Sequence, residues 1–329
     1  MTRQLPSADT HLTEDDAHEI FGWILDGEVG DEEIGRFLVA MSARSETSEE
    51  IAGAARALRD RLIPVPAPEG TIDCCGTGGD GHHTLNVSTA VSLVVAACGV
   101  PVAKHGNRAA SSKSGAADTL EALGLDLDRA AANAQATLDE LGIAFLFAVN
   151  HHPAMGRIAP IRRKIARRTI FNLMGPLANP ARVTRQLIGI ARPDYVRVYA
   201  DALAALGTEG SAVVAGEEGL DELSCEGSSV IKSIGQARLP DRVTPQDAGL
   251  PAHPLTAIRG GDARHNAAAL RALLQGEPGP YRDAVLLNAA AALMVADRAA
   301  SLTEGVEEAA EVLDNGLANT LLDCWIAHT

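Results

Sequence analysis

The chain has 329 residues and a formal net charge of −15, with 46 % hydrophobic and 22 % charged residues. This composition is ordinary for a folded protein with one large unit or two lobes, and it excludes a disordered chain. The negative charge argues against a nucleic-acid partner, because such a partner requires clustered Lys and Arg.

The first 62 residues predict three amphipathic helices. The first follows Thr13 as its N-cap and ends near Gly27. The other two carry apolar residues at helical spacing, namely Ile34, Phe37, Leu38 and Met41, then Ile51, Ala55, Leu58 and Leu62. A rigid Pro-rich stretch over 64–70 follows, and we place a domain boundary there, between a helical lobe over 1–70 and a second lobe over 71–329.

From residue 71 the pattern changes to short apolar strands alternating with helices. Strands are predicted over 71–75, 100–103, 143–148, 186–190 and 211–215. Helices are predicted over 88–98, 115–123, 128–141, 194–206, 281–299 and 303–327. This alternation is typical of a mostly parallel sheet covered by helices. The predicted fold class is therefore α/β, with a small helical N-terminal lobe and a large α/β lobe.

The chain carries none of the usual signals for export or membrane insertion. Its start, MTRQLPSADTHL, lacks the apolar stretch of a signal peptide, and its apolar runs, such as 284–296, are shorter than the roughly 20 residues of a membrane span. The five cysteines have neither a C-x-x-C spacing nor the density of a disulfide scaffold. We therefore expect a cytoplasmic protein with reduced thiols and no membrane partner.

A glycine-rich loop over 76–81, Gly-Thr-Gly-Gly-Asp-Gly, follows the first predicted strand of the large lobe. Glycines let the backbone turn sharply and point N–H groups at an anion, although a turn without a ligand is equally common. Asn-Val-Ser-Thr over 86–89 then begins a helix, where Ser and Thr are most often caps. Together, a strand, a glycine loop and a helix N-terminus form an arrangement that binds diphosphate.

A second polar loop, over 104–114, follows the next predicted strand. It contains two Lys, one Arg, three Ser and one Asn, side chains that bind phosphate and ribose. A solvated loop without a ligand is the alternative. Open α/β sheets bind ligands beyond the C-terminal ends of their strands, which favours the binding interpretation.

Two charged features complete the pattern. Asp221 and Glu222 follow the strand over 211–215. Adjacent carboxylates are usually surface charge, but a diphosphate leaving group requires Mg²⁺, which binds carboxylate oxygens. Residues 157–168 include six basic residues and no acidic one, which is typical of an exposed helix face. One Arg of this run could turn inward and bind a substrate carboxylate.

Taken in order, these segments resemble the anthranilate phosphoribosyltransferase family. The matching segments are 76–80, 86–89, 104–118, 120–124, 152–155, 168–180, 219–222 and 282–289. The resemblance implies transfer of the 5-phosphoribosyl group from phosphoribosyl diphosphate (PRPP) to the amine of anthranilate, a step of tryptophan biosynthesis. It also implies a homodimer formed through the helical lobe, and a hinge segment at about 155–182 that joins that lobe.

The resemblance also implies a role for each matching residue. PRPP would be bound by Gly76, Gly79, Asp80, Thr84, Asn86, Val87, Ser88, Thr89, Lys104, His105, Gly106, Asn107, Arg108, Ala109, Ala110, Ser111, Ser112 and Ala116. Anthranilate would be bound by Gly76, His105, Asn107, His152, Pro176 and Arg162, which would pair with its carboxylate. Two Mg²⁺ ions per subunit would be held by Ser88, Asp221 and Glu222. The implied catalytic residues are Lys104, Asn107 and Arg162.

The sequence departs from the family pattern at four positions. The family often has Ser, Pro, Gly and His where this chain has Ala116, Val149, Ala166 and Ala215. None of these positions is a metal carboxylate or the anthranilate arginine.

Two alternative functions remain beside the transferase. A pyrimidine nucleoside phosphorylase on the same architecture would use phosphate as its nucleophile and need no paired metal carboxylates. Asp221, Glu222 and Asn107 favour the transferase over it. A non-catalytic relative that binds nucleic acid would need a basic surface, which the net charge of −15 disfavours.

Overall fold

The computed structural model describes residues 3–109 and 113–329. Its first three helices are α1 (Glu14–Asp26), α2 (Asp31–Ala43) and α3 (Ser48–Arg59). Thr13 caps α1 by accepting a hydrogen bond from the Asp16 N–H, and Gly27 ends it at φ 79°, a conformation that glycine adopts without strain. The apolar stripes predicted for the second and third helices are buried. The three-helix prediction is confirmed.

The large lobe contains one sheet of seven strands in the order β3-β2-β1-β4-β5-β6-β7. The strands are β1 (Ile72–Gly76), β2 (Val102–Gly106), β3 (Ile143–Phe147), β4 (Arg185–Gly189), β5 (Gly210–Gly216), β6 (Ser229–Gly235) and β7 (Arg242–Val243). The first five pair in parallel, which confirms the mostly parallel prediction. The antiparallel strands β6 and β7 escape prediction, because β6 is half exposed and β7 has only two residues.

Further helices follow β1, and those that contact strands cover the faces of the sheet. They are α4 (Val87–Ala97), α5 (Ala116–Leu123), α6 (Leu127–Ala132), α7 (Ala134–Leu141), α8 (Ala148–His151), α9 (Met155–Ile165), α10 (Val196–Ala205), α11 (Ala263–Leu274), α12 (Pro280–Val295), α13 (Leu302–Asp314) and α14 (Leu317–His328). Among the described residues, no helix has the length and apolarity required to cross a bilayer.

Three helix predictions are wrong in their extent. The helix predicted over 128–141 divides into α6 and α7 at Asn133, whose backbone leaves the helical region. The helix predicted over 303–327 divides into α13 and α14 at Gly316, which takes φ 70° and therefore cannot continue a right-handed helix. The helix predicted to reach residue 299 ends at Val295.

The segment from α9 to residue 182 lies between the two lobes. Helix α9 contacts α1 and α2, and its buried Ile158 and Ile161 belong to the same hydrophobic cluster as the helical lobe. Phe171 packs edge-on against Phe21 of α1, with ring centroids 5.8 Å apart. The Arg59 Nε of α3 donates to the Leu177 carbonyl at 2.6 Å. The chain therefore returns to the helical lobe before it forms β4.

Candidate active site

A cleft of about 390 Å³ opens at the C-terminal edge of the parallel strands. Loops after β1, β2 and β5 line it, together with the segment that follows α9. Its walls are Cys75, Gly76, Thr77, Gly78, Gly79, Ser88, Lys104, His105, Gly106, Asn107, Arg108, Ala109, Gly115, Ala116, Ala148, Arg162, Phe171, Asn172, Gly175, Pro176, Asp221 and Glu222. The cleft thus brings together four motifs that are far apart in the sequence.

The glycine loop lies directly against the acidic loop. Gly78 N donates to the Asp221 carboxylate Oδ2 at 2.6 Å. A Cβ on Gly76 would lie 2.3 Å from the same oxygen, and one on Gly189 would lie 1.6 Å from the Asp221 carbonyl oxygen. Glycines at the ends of β1 and β4 therefore allow Asp221 to sit above the sheet edge.

Three acidic residues, Asp80, Asp221 and Glu222, lie close enough here to influence one another's charge. Burial and the nearby charge of Asp80 raise the pKa of Asp221 to about 7. Burial, Asp221 and Asp80 raise the pKa of Glu222, while the Ser88 backbone N–H and the Lys104 charge oppose this rise. Glu222 Oε2 is buried without a hydrogen-bond partner. Burying these carboxylates in their charged form costs folding free energy unless a cation neutralises them.

The donor set fits Mg²⁺. Carboxylate and hydroxyl oxygens suit this ion, which commonly keeps one or two carboxylates and completes its shell with phosphate and water. Among residues 3–109 and 113–329, no three His, Cys, Asp or Glu side chains come together to hold a metal ion. The pair Asp221 and Glu222 would therefore depend on oxygens from Ser88, the substrate and water.

Lys104 supplies positive charge beneath the cleft. Its side chain is buried, and its Nζ donates to the Cys74 carbonyl at 2.9 Å and to Ser88 Oγ at 3.4 Å. These contacts hold the ammonium between β1 and the first turn of α4. The position suits an anion bound between the glycine loop and Ser88.

At the other end of the cleft, Arg162 presents an uncompensated charge. It lies on α9, and burial lowers its pKa. Its guanidinium has no hydrogen bond or ion pair with any described residue, and Ala148, Phe171 and Pro176 line the same cleft. Because a partly buried cation without a partner is costly, the position indicates an anionic ligand.

His105 and His152 form a neutral pair beside this end. Their Nε2 atoms are 3.2 Å apart, and His105 Nδ1 lies 3.1 Å from the Gly175 carbonyl. Burial lowers the pKa of His105 to about 3 and that of His152 to about 4. His105 therefore donates through Nδ1 to Gly175 and accepts at Nε2 from His152. His105 lines the cleft, whereas His152 does not line it and contacts His105 instead.

Several residues expected to bind PRPP do not line the cleft. The backbone of Thr84 forms an isolated bridge with Arg259, and its expected contact with PRPP stays a prediction. The Asn86 Oδ1 accepts from Thr119 Oγ1 and Asn266 Nδ2, so its side chain joins α4 to α5 and α11. The remaining side chains outside the cleft are the buried Val87 and Thr89, and Asp80.

The loop over 104–112 is only partly described. Arg108 lines the cleft, but its Nη1 donates to Asp118 Oδ1 and Glu121 Oε2, both at 2.9 Å. A phosphate contact by Arg108 would require it to leave these carboxylates. Asn107 is exposed, and its Oδ1 accepts from the Arg108 N–H. The expected contacts of Ala110, Ser111 and Ser112 lie outside the described residues.

The sequence patterns miss three polar residues near the cleft. Arg168 donates to the Gly79 carbonyl at 2.7 Å and the Gly78 carbonyl at 3.0 Å, but nothing in its basic run distinguishes it. Thr77 Oγ1 is buried without a partner. Asp73 accepts a hydrogen bond from Asn179 Nδ2 at 2.8 Å. An acidic residue inside an apolar strand is unusual, and this feature of the sequence could have identified it.

The four departures from the family pattern differ in where they lie. Ala116 lines the cleft, Ala215 is buried in β5 and Val149 is 64 % exposed. Ala166 ends α9 at φ 51°, where a glycine would be unstrained. Only Ala116 therefore bears directly on a ligand in the cleft.

Known proteins match both lobes. Residues 69–319 match the family described as "Glycosyl transferase family, a/b domain", and residues 7–62 match its "helical bundle domain". The anthranilate phosphoribosyltransferase of Novosphingobium aromaticivorans is 67 % identical over 324 residues, 98 % of each chain.

Solved structures agree with these matches. The crystal structure of anthranilate phosphoribosyltransferase from Thermus thermophilus has a TM-score of 0.92 at 44 % identity, covering 97 % of this chain and 96 % of that one. The enzyme from Saccharomyces cerevisiae in complex with PRPP and Mg has a TM-score of 0.87 at 27 % identity, covering 98 % and 94 %.

Proposed function

The chain belongs to the anthranilate phosphoribosyltransferase family and catalyses its reaction, and we propose how its own residues carry this reaction out. The enzyme transfers the 5-phosphoribosyl group of PRPP to the amine of anthranilate in tryptophan biosynthesis. The matches favour this activity over a nucleoside phosphorylase or a nucleic-acid-binding relative. The observation that carries the acceptor assignment is the unpaired, partly buried charge of Arg162.

The donor PRPP would bind at the sheet edge. Its diphosphate would lie between the glycine loop, Ser88 and Lys104, where backbone N–H groups and an ammonium favour an anion. Asp221, Glu222 and Ser88 would hold Mg²⁺, and the resemblance implies two ions per subunit. Mg²⁺ bound there would neutralise the diphosphate and make it a better leaving group. The yeast relative solved with PRPP and Mg supports this proposal.

The acceptor would bind at the α9 end of the cleft. Arg162 would pair with the anthranilate carboxylate through its two-pronged guanidinium. Asn107 would orient the amine, and His105 and Pro176 would contact the ring. This end of the cleft suits an aromatic acid, because apolar side chains such as Phe171 and Pro176 lie beside the charged Arg162.

Catalysis would then depend on alignment and electrostatics. The anthranilate nitrogen attacks the anomeric carbon from the face opposite the diphosphate, the C–N bond forms and the C–O bond to diphosphate breaks. Lys104 and the loop N–H groups stabilise the negative charge on the departing diphosphate, and Arg162 and Asn107 orient the nucleophile. The aromatic amine is neutral at pH 7 and attacks without prior deprotonation, so we expect no strong general base. The proton that the nitrogen loses after the C–N bond forms passes to the departing diphosphate or to water.

Closure of the two lobes would complete the site. The loop over 104–112 and the hinge between the lobes, at about 155–182, would close on the substrate and exclude water. We also propose a cytoplasmic location, since both substrates are charged metabolites that a membrane would exclude.

An anthranilate assay tests the function directly. We expect the protein to remove anthranilate fluorescence only when PRPP and Mg²⁺ are both present, because the leaving group must be neutralised before the bond to ribose breaks. Excess chelator should stop the reaction, and fresh Mg²⁺ should restore it. Fluorescence loss without PRPP, or phosphorolysis of a pyrimidine nucleoside instead, would contradict the assignment.

We further propose that the enzyme is a homodimer formed through α2 and α9. An apolar groove of about 670 Å³ between these helices includes Val39, Ala40, Pro160 and Ile161. Its rim carries both signs of charge, Asp31 and Glu32 beside Arg36 and Lys164. A two-fold contact places such a surface against itself, so each acid can meet a base. A second cleft of about 610 Å³ shares Arg36 and Ala40 and extends the same face.

A charged substitution in the groove tests the dimer. We expect Ala40→Glu to convert the protein from a dimer to a monomer in light scattering, because a carboxylate would be buried without a partner. Ala136→Glu, exposed on α7, is the matched control and should remain dimeric. A wild-type monomer at micromolar concentration would refute this interface.

A further inference from the structure

Arg168 spans the outer side of the glycine loop. Its Nη1 donates to the Gly79 carbonyl at 2.7 Å, and its Nη2 donates to the Gly78 carbonyl at 3.0 Å. A Cβ on Gly79 would lie 2.8 Å from Nη1, so a larger residue there would require the Arg168 side chain to shift. Because both hydrogen bonds come from one planar guanidinium, they fix the orientation of the two carbonyl groups as well as their positions.

These two carbonyls determine where the next two N–H groups point. In a trans peptide unit the C=O and N–H lie in one plane and point in opposite directions, and the chain has no cis peptide bond among its described residues. The Gly78 carbonyl shares its unit with the Gly79 N–H, and the Gly79 carbonyl shares its unit with the Asp80 N–H. Both N–H groups therefore face away from Arg168.

The side opposite Arg168 is the cleft. Gly78 and Gly79 line the cleft, whereas Arg168 does not line it and lines a separate pocket of about 260 Å³. Neither the Gly79 N–H nor the Asp80 N–H has an acceptor among the described residues. Two adjacent free N–H groups beside the cleft are a binding feature for an anion.

The loop needs an external restraint to keep this orientation. Gly78 and Gly79 take φ 69° and 74°, and glycine reaches many other conformations at little cost. Arg168 also lies against α2, where its carbonyl is 3.2 Å from Ser42 Oγ, whose single proton is shared with Glu46 Oε1 at 2.9 Å. The same segment carries Arg168 and Arg162. It therefore contacts both the end of the cleft proposed for PRPP and the end proposed for anthranilate.

We propose that Arg168 is a positioning residue, which orients two peptide units so that the Gly79 and Asp80 N–H groups bind the diphosphate of PRPP. The inference rests on the proposed diphosphate position. It predicts an effect on PRPP that is separate from any effect on anthranilate.

Steady-state kinetics of Arg168 variants test this role. We expect Arg168→Met to raise the KM for PRPP by about 30-fold, because the hydrogen bonds from two N–H groups to the diphosphate would be weakened. The KM for anthranilate should be unchanged. Arg168→Lys should recover part of the loss, because one ammonium can reach only one carbonyl well. Adding guanidinium at millimolar concentration to Arg168→Ala should lower its KM for PRPP.

The matched control is Arg167→Met, since Arg167 is an exposed neighbour without a described partner. Equal KM values for PRPP in Arg167→Met and Arg168→Met, at wild-type melting temperatures, would overturn the proposal. A parallel rise of both KM values without guanidinium rescue would overturn it too, because that pattern indicates general damage. If Asp221→Asn also left the KM for PRPP unchanged, the diphosphate position itself would be wrong.

Discussion

Replacing Asp221 by Asn and Glu222 by Gln is expected to lower Mg²⁺-dependent turnover by about 10²–10³-fold without unfolding the protein. These substitutions keep side-chain volume and remove only the negative charge that would hold the ion. Turnover measured over a range of Mg²⁺ concentrations checks the prediction. Retention of full activity by the double variant would refute the metal role of this pair.

The stability of the same variant provides an independent measurement. Because burial and Asp80 raise the folded-state pKa of Asp221 from 3.8 to about 7, its ionisation costs folding free energy. This cost is absent well below pH 4, grows as the pH rises towards 7 and is complete above it. Without metal at pH 8, the double variant should therefore melt at or above the wild-type temperature. The control is Glu217→Gln, because Glu217 is an exposed neighbour paired with Arg242. This substitution should change neither the Mg²⁺-dependent turnover nor the melting temperature.

Arg162→Met is expected to raise the KM for anthranilate by about 30–100-fold while the KM for PRPP stays the same. The guanidinium would supply two charge-assisted hydrogen bonds to the carboxylate, and Met retains the length but not the charge. Steady-state kinetics with each substrate varied in turn separate the two constants. The exposed Arg163→Met on the same helix serves as the control.

An acceptor without a carboxylate refines the Arg162 test. Wild-type enzyme should discriminate strongly against aniline, whereas Arg162→Met should lose most of that discrimination, because the missing contact is then absent from both reactions. If the variant still favours anthranilate as strongly as wild type does, the carboxylate binds elsewhere. Both results come from relative rates, so a modest loss of overall activity does not obscure them.

Most secondary structure could be predicted because its signals are local. Helical spacing in α2 and α3 and the alternation of strands and helices depend on residues within one or two turns of each other. Errors arose where such signals fade. Gly316 interrupts an otherwise continuous helical pattern, and β6 exposes enough polar residues to hide its strand period.

The site could be predicted only in part. The glycine loop and Asp221 carry recognisable motifs, and both line the cleft. Thr84 stands close to the loop in sequence but pairs with Arg259 instead. Proximity along the chain alone therefore does not place Thr84 in the cleft, and its contact with PRPP stays a prediction.

The sequence by itself determined the two lobes, the order of the motifs and the chemistry of their side chains, because these properties belong to short stretches of chain. Only the tertiary structure decided which unpaired arginine of the basic run is partly buried and which arginine holds the loop. Arg162 and Arg168 are alike in the sequence, but one faces a cleft and the other faces the Gly78 and Gly79 carbonyls. That difference depends on segments about 90 residues apart packing together, which no local pattern encodes.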